Sequence, residues 1–157
     1  MQQKIILILR LSLSWIFLYS GITKLLTDGW SSKEFLQNTE TLKPLFLWFT
    51  NTQIITWVDF LNIYGQIGIG LALLLGIFLP LATIGGSLML ALYYLAQLNF
   101  PYVGRGTTSY LIDSHIIYII CLFLIWIFDD KKTWSIKNYL TKYNLEISPP
   151  WYCQILL

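Results

Sequence analysis

The stretch that decides the fold is residues 54–98, IITWVDFLNIYGQIGIGLALLLGIFLPLATIGGSLMLALYYLAQL. Asp59 is its only charged residue. It contains two apolar runs, Ile54–Leu79 and Leu81–Leu98, each close to the roughly 20 residues that a helix needs to cross the hydrocarbon core of a bilayer. Since only Pro80 separates the runs, the sequence predicts two membrane helices in a tight antiparallel hairpin.

Two further apolar runs flank this hairpin, Ile5–Leu26 and Leu111–Phe128. The first is longer than the apolar part of a signal peptide and no A-x-A-like cleavage site follows it, so we expect a retained helix. We therefore predict an all-α integral membrane four-helix bundle. Residues 1–130 are predicted to form the transmembrane domain, with spans at about 5–26, 54–79, 81–98 and 111–128, and residues 131–157 an amphipathic cytoplasmic tail.

Composition supports the same class. The chain has 157 residues, of which 56% are hydrophobic and only 11% charged, whereas soluble domains carry about 25% charged residues. So few charges cannot cover a water-soluble surface. This excludes a cytosolic domain, a disordered chain and a nucleic-acid-binding module, and leaves the lipid bilayer as the predicted partner.

Basic residues suggest the orientation. Four spans place both termini on one side, and that side carries six basic residues against four on the other. The six are Lys4, Arg10, Lys131, Lys132, Lys137 and Lys142, and the four are Lys24, Lys33, Lys43 and Arg105. We predict a multi-pass protein of a prokaryotic plasma membrane with cytoplasmic termini.

The loop between the first two spans is predicted to be partly helical. Ser31–Glu34 is a capping-box pattern that starts a short helix. Pro44 then opens the apolar segment Leu45–Phe49, which is too short to span and is expected in the outer interface or over the mouth of the bundle. A second amphipathic stretch, Ile136–Tyr143, is expected to lie on the inner leaflet.

Each span places its polar residues on one helical face, and polar side chains in lipid are costly enough to be informative. The four faces are Arg10, Ser14, Gly21 and Lys24; Asp59, Asn62, Gln66 and Gly70; Gly86, Tyr93 and Gln97; and Ser114, Tyr118 and Cys121 with Asp113 and His115 beside them. Most of these groups fall at the outer half of the bundle. Arg10 falls at the opposite end, as a structural charge that Asp129 or Asp130 could neutralise.

A binding site near the outer surface is the functional interpretation of this set. The predicted catalytic residues are Asp113, His115 and Tyr118, and the predicted substrate-binding or quinone-binding residues are Lys24, Asp59, Asn62, Gln66, Tyr93, Gln97 and Arg105. Acids, one histidine, one lysine, amides and phenols could bind a quinone headgroup or relay protons. The structural alternative makes them helix caps and interhelical hydrogen bonds, with Asp113 or Ser114 capping the fourth helix.

The sequence gives no indication of metal, haem, flavin or cysteine chemistry. His115 is the only histidine, which rules out a bis-His haem or a two-His zinc site within one chain, and Cys121 and Cys153 form no CxxC pair. We expect no metal, haem or flavin. The small-residue ridge Gly68-xxx-Ala72-xxx-Gly76 indicates close packing, either within the hairpin or at a dimer interface.

Several motifs together resemble the DoxX/DoxD family of membrane proteins. They are the Arg10…Tyr19-Ser20-Gly21-Ile22-Thr23-Lys24 opening, the helix with Asn62-Ile63-Tyr64-Gly65 and Gly70…Gly76, and Asp113-Ser114-His115-Ile116-Ile117-Tyr118. The resemblance spans about residues 10–128 and implies a four-helix membrane protein. The namesake relatives of this family are subunits of a thiosulfate:quinone oxidoreductase, and relatives often carry an acidic residue early in the second helix, in the neighbourhood of Asn62.

Three functions remain open at this stage. The first is a subunit of a quinone-linked oxidoreductase that acts on thiosulfate or a similar sulfur compound, with quinone as its cofactor and a second redox subunit or a homo-oligomer as partner. The second is a non-catalytic membrane scaffold or assembly partner for another redox protein. The third, a small transporter or channel, has less support because four short helices leave little room for a pore.

Overall fold

The computed structural model describes residues 2–100, 102–103 and 110–128. Its four longer helices are α1 (Gln2–Leu26), α4 (Thr52–Leu75), α5 (Leu79–Gln97) and α6 (Ser114–Phe128). Two short helices, α2 (Lys33–Gln37) and α3 (Lys43–Phe49), lie in the loop between α1 and α4. The all-α prediction is confirmed.

The four longer helices pack in a closed ring. α1 contacts α4 and α6, and α5 contacts the same two helices. α1 and α4 run antiparallel, since Ser14 contacts Gly70 and Lys24, ten residues further along α1, contacts Asn62, eight residues earlier in α4. The core between them is apolar and consists of Leu13, Phe17, Leu73, Ala82, Leu90, Leu122 and Ile125.

The outer faces of these helices are also apolar. Trp15 and Trp57, for example, are each 69% exposed. Soluble proteins rarely expose a large continuous apolar surface, whereas the hydrocarbon core of a bilayer favours one. α1, α4 and α5 are long and apolar enough to cross a membrane, while the described part of α6 is apolar but only 15 residues long. The chain is therefore a membrane protein, and the fourth span stays a prediction.

The hairpin between α4 and α5 turns earlier than predicted. α4 ends at Leu75, not at Leu79, because Gly76 takes the left-handed conformation at φ 68° that ends many helices. Pro80 lies inside the first turn of α5 and not between the helices. A proline in the first helical turn loses no intrahelical hydrogen bond, so it starts this helix and does not interrupt it.

The loop between α1 and α4 covers one end of the bundle. Phe46 of α3 is 2% exposed and packs with Leu36 of α2 and Ala96 of α5. This places the apolar segment after Pro44 over the bundle mouth, one of its two expected positions. A two-stranded hairpin that the sequence did not predict, β1 (Leu98–Asn99) with β2 (Tyr102–Val103), follows α5 at the same end.

The seam between α1 and α4 is the closest helix contact that small residues make. A side-chain carbon at Gly70 would lie 2.9 Å from the Leu18 backbone nitrogen, and one at Gly21 would lie 3.1 Å from the Ile63 carbonyl oxygen. Ser14 donates a buried 2.8 Å hydrogen bond to the Gly70 carbonyl. The predicted Gly68-Ala72-Gly76 ridge does not pack as a unit: a carbon at Gly68 would meet nothing within 4 Å, whereas Ala72 packs against the core.

Several predictions fall outside the described residues. Arg105, the acidic pair Asp129 and Asp130, and the tail from 131 to 157 belong to this group. The domain boundary at residue 130, the amphipathic tail helix and the neutralisation of Arg10 by an acidic partner from that pair therefore stay predictions.

Candidate functional site

Three helices bring four polar side chains together at the end of the bundle that α2 and α3 cover. The Lys24 ammonium of α1 donates to the Tyr93 hydroxyl of α5 at 2.7 Å and to Asn62 Oδ1 of α4 at 3.3 Å. Gln66, one turn along α4, donates from Nε2 to the same hydroxyl at 3.3 Å. We call Lys24, Asn62, Gln66 and Tyr93 the polar cluster.

Donor and acceptor roles within the polar cluster are mutually consistent. The Tyr93 hydroxyl uses its single hydrogen toward Asn62 Oδ1, so it can only accept from Lys24 and Gln66. That requirement turns the nitrogen of the Gln66 amide toward Tyr93. The amide oxygen, Gln66 Oε1, is buried and has no hydrogen-bond partner among the described residues. Since buried acceptors are normally paired, the cluster has spare capacity for a donor.

Aromatic rings surround the ammonium group. The Lys24 nitrogen lies 5.0 Å from the centroid of the Trp30 ring and 5.0 Å from that of Tyr93, within the range of cation–π attraction. Phe35 of α2 packs edge-on against Tyr93, with ring centroids 6.2 Å apart. We call residues 28–37, which carry Trp30 and Phe35, the cover segment.

The cover segment was missed by sequence reasoning as part of the site. Trp30 follows Lys24 by six residues, beyond the end of α1, and its ring reaches back over the Lys24 ammonium, with Gly29 at φ 68° directly before it. A glycine before an aromatic residue just after a lysine-terminated helix was the available signal. Its meaning depends on where the loop folds, which spacing alone does not give.

Asp113 and His115 adjoin the cluster from α6. The His115 ring lies 6.1 Å from the Tyr93 ring between centroids, and its Nδ1 is hydrogen-bonded to Asp113 Oδ2. The other carboxylate oxygen, Asp113 Oδ1, accepts from the backbone nitrogens of His115 at 3.0 Å and Ile116 at 3.4 Å. Asp113 thus caps α6, as the structural interpretation predicts, and also bonds the imidazole, while its catalytic role stays a prediction.

Asp59 lies outside the polar cluster. Its Oδ1 accepts from the Ser32 backbone nitrogen at 2.8 Å and from the Ser32 hydroxyl at 2.5 Å, and its Oδ2 accepts from the Ser31 hydroxyl at 2.7 Å. The short helix predicted from the capping box is present as α2, but the expected cap is wrong. Ser32 occupies the cap position without a side-chain cap bond, because its hydroxyl donates to Asp59.

The remaining predicted residues are scattered. Tyr118 packs against the apolar core, and Gln97 ends α5 half-buried. Arg10 is fully buried near the other end of α1. Among the described residues, no three His, Cys, Asp or Glu side chains come together as a metal site would require.

Comparison with known families gives one match. The family model described as DoxX matches residues 5–97, more than half of the chain. The chain belongs to the DoxX family. The DoxX match spans α1 to α5 and includes the whole polar cluster, while Asp113 and His115 lie beyond its end. The chain has no match among curated proteins or among solved structures.

Proposed function

We propose that this DoxX protein is a subunit of a quinone-linked oxidoreductase and that the polar cluster holds the quinone headgroup. The observation that carries the proposal is the open hydrogen-bonding capacity of the cluster. The Lys24 ammonium has three N–H groups and gives two of them to Asn62 and Tyr93. Its third N–H and Gln66 Oε1 remain for a ligand.

This pair of free groups suits both redox states of a quinone. A quinone carbonyl accepts the remaining Lys24 proton, and a quinol hydroxyl can in addition donate to Gln66 Oε1. Reduction of the quinone takes two electrons and two protons. His115, hydrogen-bonded to Asp113 and with its ring tilted beside that of Tyr93, is the imidazole next to the cluster that can pass those protons.

The electron donor is proposed to be thiosulfate or a similar small sulfur anion. Two thiosulfate ions that join through a new S–S bond release two electrons, which balances one quinone. The positive charge of Lys24 would attract such an anion to this end of the bundle. Arg105, the other basic residue that the sequence suggested for binding, lies outside the described residues. Electrons would pass to the quinone directly or through a second redox subunit.

The test measures quinone reduction and quinone binding separately. Protein in nanodiscs is titrated with a short-chain ubiquinone and with its quinol, and thiosulfate-dependent reduction is followed in membranes that contain the neighbouring gene products. Lys24→Met should weaken binding of both forms by about tenfold or more, because a charge-assisted hydrogen bond is lost. Lys33→Met is the matched control, since Lys33 is exposed on α2.

Gln66→Leu sharpens the same test. It should weaken binding of the quinol more than binding of the quinone, because only the quinol can donate to Oε1. Wild-type protein that binds neither form, with no thiosulfate-dependent reduction in the complete membranes, would refute the proposal.

A second candidate is the non-catalytic scaffold. It is favoured by one observation: the two carboxylates beside the site, Asp59 and Asp113, both serve as acceptors for local backbone and side-chain groups. Function retained in the double variant Asp113→Asn with His115→Ala, together with a stoichiometric crosslinked partner, would select the scaffold over the oxidoreductase.

A further inference from the structure

The contacts of Asp59 suggest a role outside ligand binding. Asp59 lies in the second turn of α4. Its carboxylate accepts three hydrogen bonds from the cover segment, one from Ser31 and two from Ser32. These are bonds to a charged acceptor, which are about twice as strong as neutral ones. The carboxylate therefore ties a loop to the transmembrane helix that carries Asn62 and Gln66.

The tied residues lie between the two aromatic rings of the cover segment. Trp30 comes directly before Ser31 and lies over the Lys24 ammonium, and Phe35 comes three residues after Ser32 and packs against Tyr93. Fixing the backbone at Ser31 and Ser32 thus fixes both rings.

The rest of the cover segment is held weakly. α2 has only five residues, and Leu36 is its one buried side chain. Gly29, at φ 68°, is the left-handed residue where the chain passes from the end of α1 to Ser31 and Ser32. Short, largely exposed segments with few buried contacts open locally at low cost in free energy. The three bonds to Asp59 are consequently a large share of what keeps this segment in place.

We propose that Asp59 is a positioning residue that holds the cover segment closed over the polar cluster, so that release of Asp59 opens Lys24 to water-soluble molecules. This role concerns access to the cluster and holds whatever molecule the cluster binds. A test of access therefore stays independent of whether the ligand is a quinone.

The experiment measures the reactivity of Lys24 directly. Full-length protein in nanodiscs is acetylated with a water-soluble active ester, and the modified fraction of each lysine is followed by mass spectrometry of the peptides. Lys33, exposed on the same segment, is the internal reference. In Asp59→Leu the acetylation rate of Lys24 relative to Lys33 should rise by about tenfold, because three charge-assisted bonds are lost.

Two variants control for charge and for chemistry. Asp28→Leu removes the same charge from an exposed position of the cover segment and should leave the rate ratio unchanged. Asp59→Asn keeps an acceptor oxygen for Ser32 and should lie close to wild type. If the Asp59 hydrogen bonds stabilised only the local loop, their loss would not change the acetylation rate of Lys24 relative to Lys33.

The outcomes decide in both directions. A selective rise at Lys24 in Asp59→Leu, with rescue by Asn, supports the proposal. An unchanged ratio, or an equal rise in Asp28→Leu, overturns it. If Asp59→Leu does not fold, the double variant Ser31→Ala with Ser32→Ala, which retains the carboxylate and the Ser32 N–H, decides by the same criterion with a smaller expected rise.

Discussion

Two regions of the same pair of helices use polar and small residues in opposite ways. At the α1–α4 seam, Gly21 and Gly70 let backbones meet, and the Ser14 hydroxyl bonds to the Gly70 carbonyl. One turn beyond Gly21, Lys24 reaches Asn62 through long side chains that bond tip to tip. The Ser14 hydroxyl at the seam is bonded, while the polar cluster keeps the Gln66 amide oxygen open among the described residues.

This difference separates holding helices together from presenting groups to a ligand. In lipid, apolar surface gives no net drive for helices to associate, so close packing of small residues and interhelical hydrogen bonds must do so. The seam meets that need along α1 and α4. With the helix positions set there, the cluster can tolerate a buried acceptor without a described partner at Gln66.

The seam can be broken with one methyl group. Gly70→Ala places a carbon 2.7 Å from a Leu18 side-chain carbon and 2.9 Å from the Leu18 backbone nitrogen, which forces the helices apart. We expect a loss of about 1–3 kcal/mol of unfolding free energy, measured by thermal or denaturant unfolding in a fixed detergent. Gly68→Ala, with nothing within 4 Å, is the matched control and should not destabilise. Equal stabilities for the two variants would contradict the assigned seam.

Substitutions of Asp113 separate its contribution to the stability of α6 from its contribution to activity. Asp113→Ala removes the cap of α6 and should cost about 1 kcal/mol, whereas Asp113→Asn keeps an acceptor for the His115 and Ile116 amides and should cost much less. Unfolding measurements check this. If Asn also leaves activity unchanged, the carboxylate serves only as a cap; if activity falls while stability holds, its bond to the His115 ring is functional.

The smallest expected effect lies at Ser14. Ser14→Ala removes the buried bond to the Gly70 carbonyl and should lower the unfolding free energy by about 0.6 kcal/mol, the average for an interhelical hydrogen bond in a membrane protein. Ser12→Ala, on the exposed face of α1, should change nothing measurable. A loss as large as that of Gly70→Ala would mean that hydrogen bonding, and not close packing, holds the seam.

Helical periodicity predicted much of the site and little of its detail. The spacing of polar residues along each span placed Lys24, Asn62, Gln66 and Tyr93 on inward faces at one depth, and they do meet. The same reasoning placed Asp59 with them, but its carboxylate turns to the Ser31 and Ser32 loop. Periodicity describes a face of one helix, and the partner of a residue near a helix end depends on the loop folded against it.

The sequence alone determined the class of protein and the approximate positions of its long apolar helices α1, α4 and α5. Apolar runs long enough to cross a bilayer leave the chain no soluble alternative, because unpaired backbone groups in lipid force each run into a helix. Only the tertiary structure decided which glycines form the seam, that Trp30 and Phe35 cover Lys24 and Tyr93, and that Asp59 holds them there. Those features depend on contacts between segments that are distant in the chain. These contacts are set by the rotation of each helix about its axis and by the path of the loop between α1 and α4.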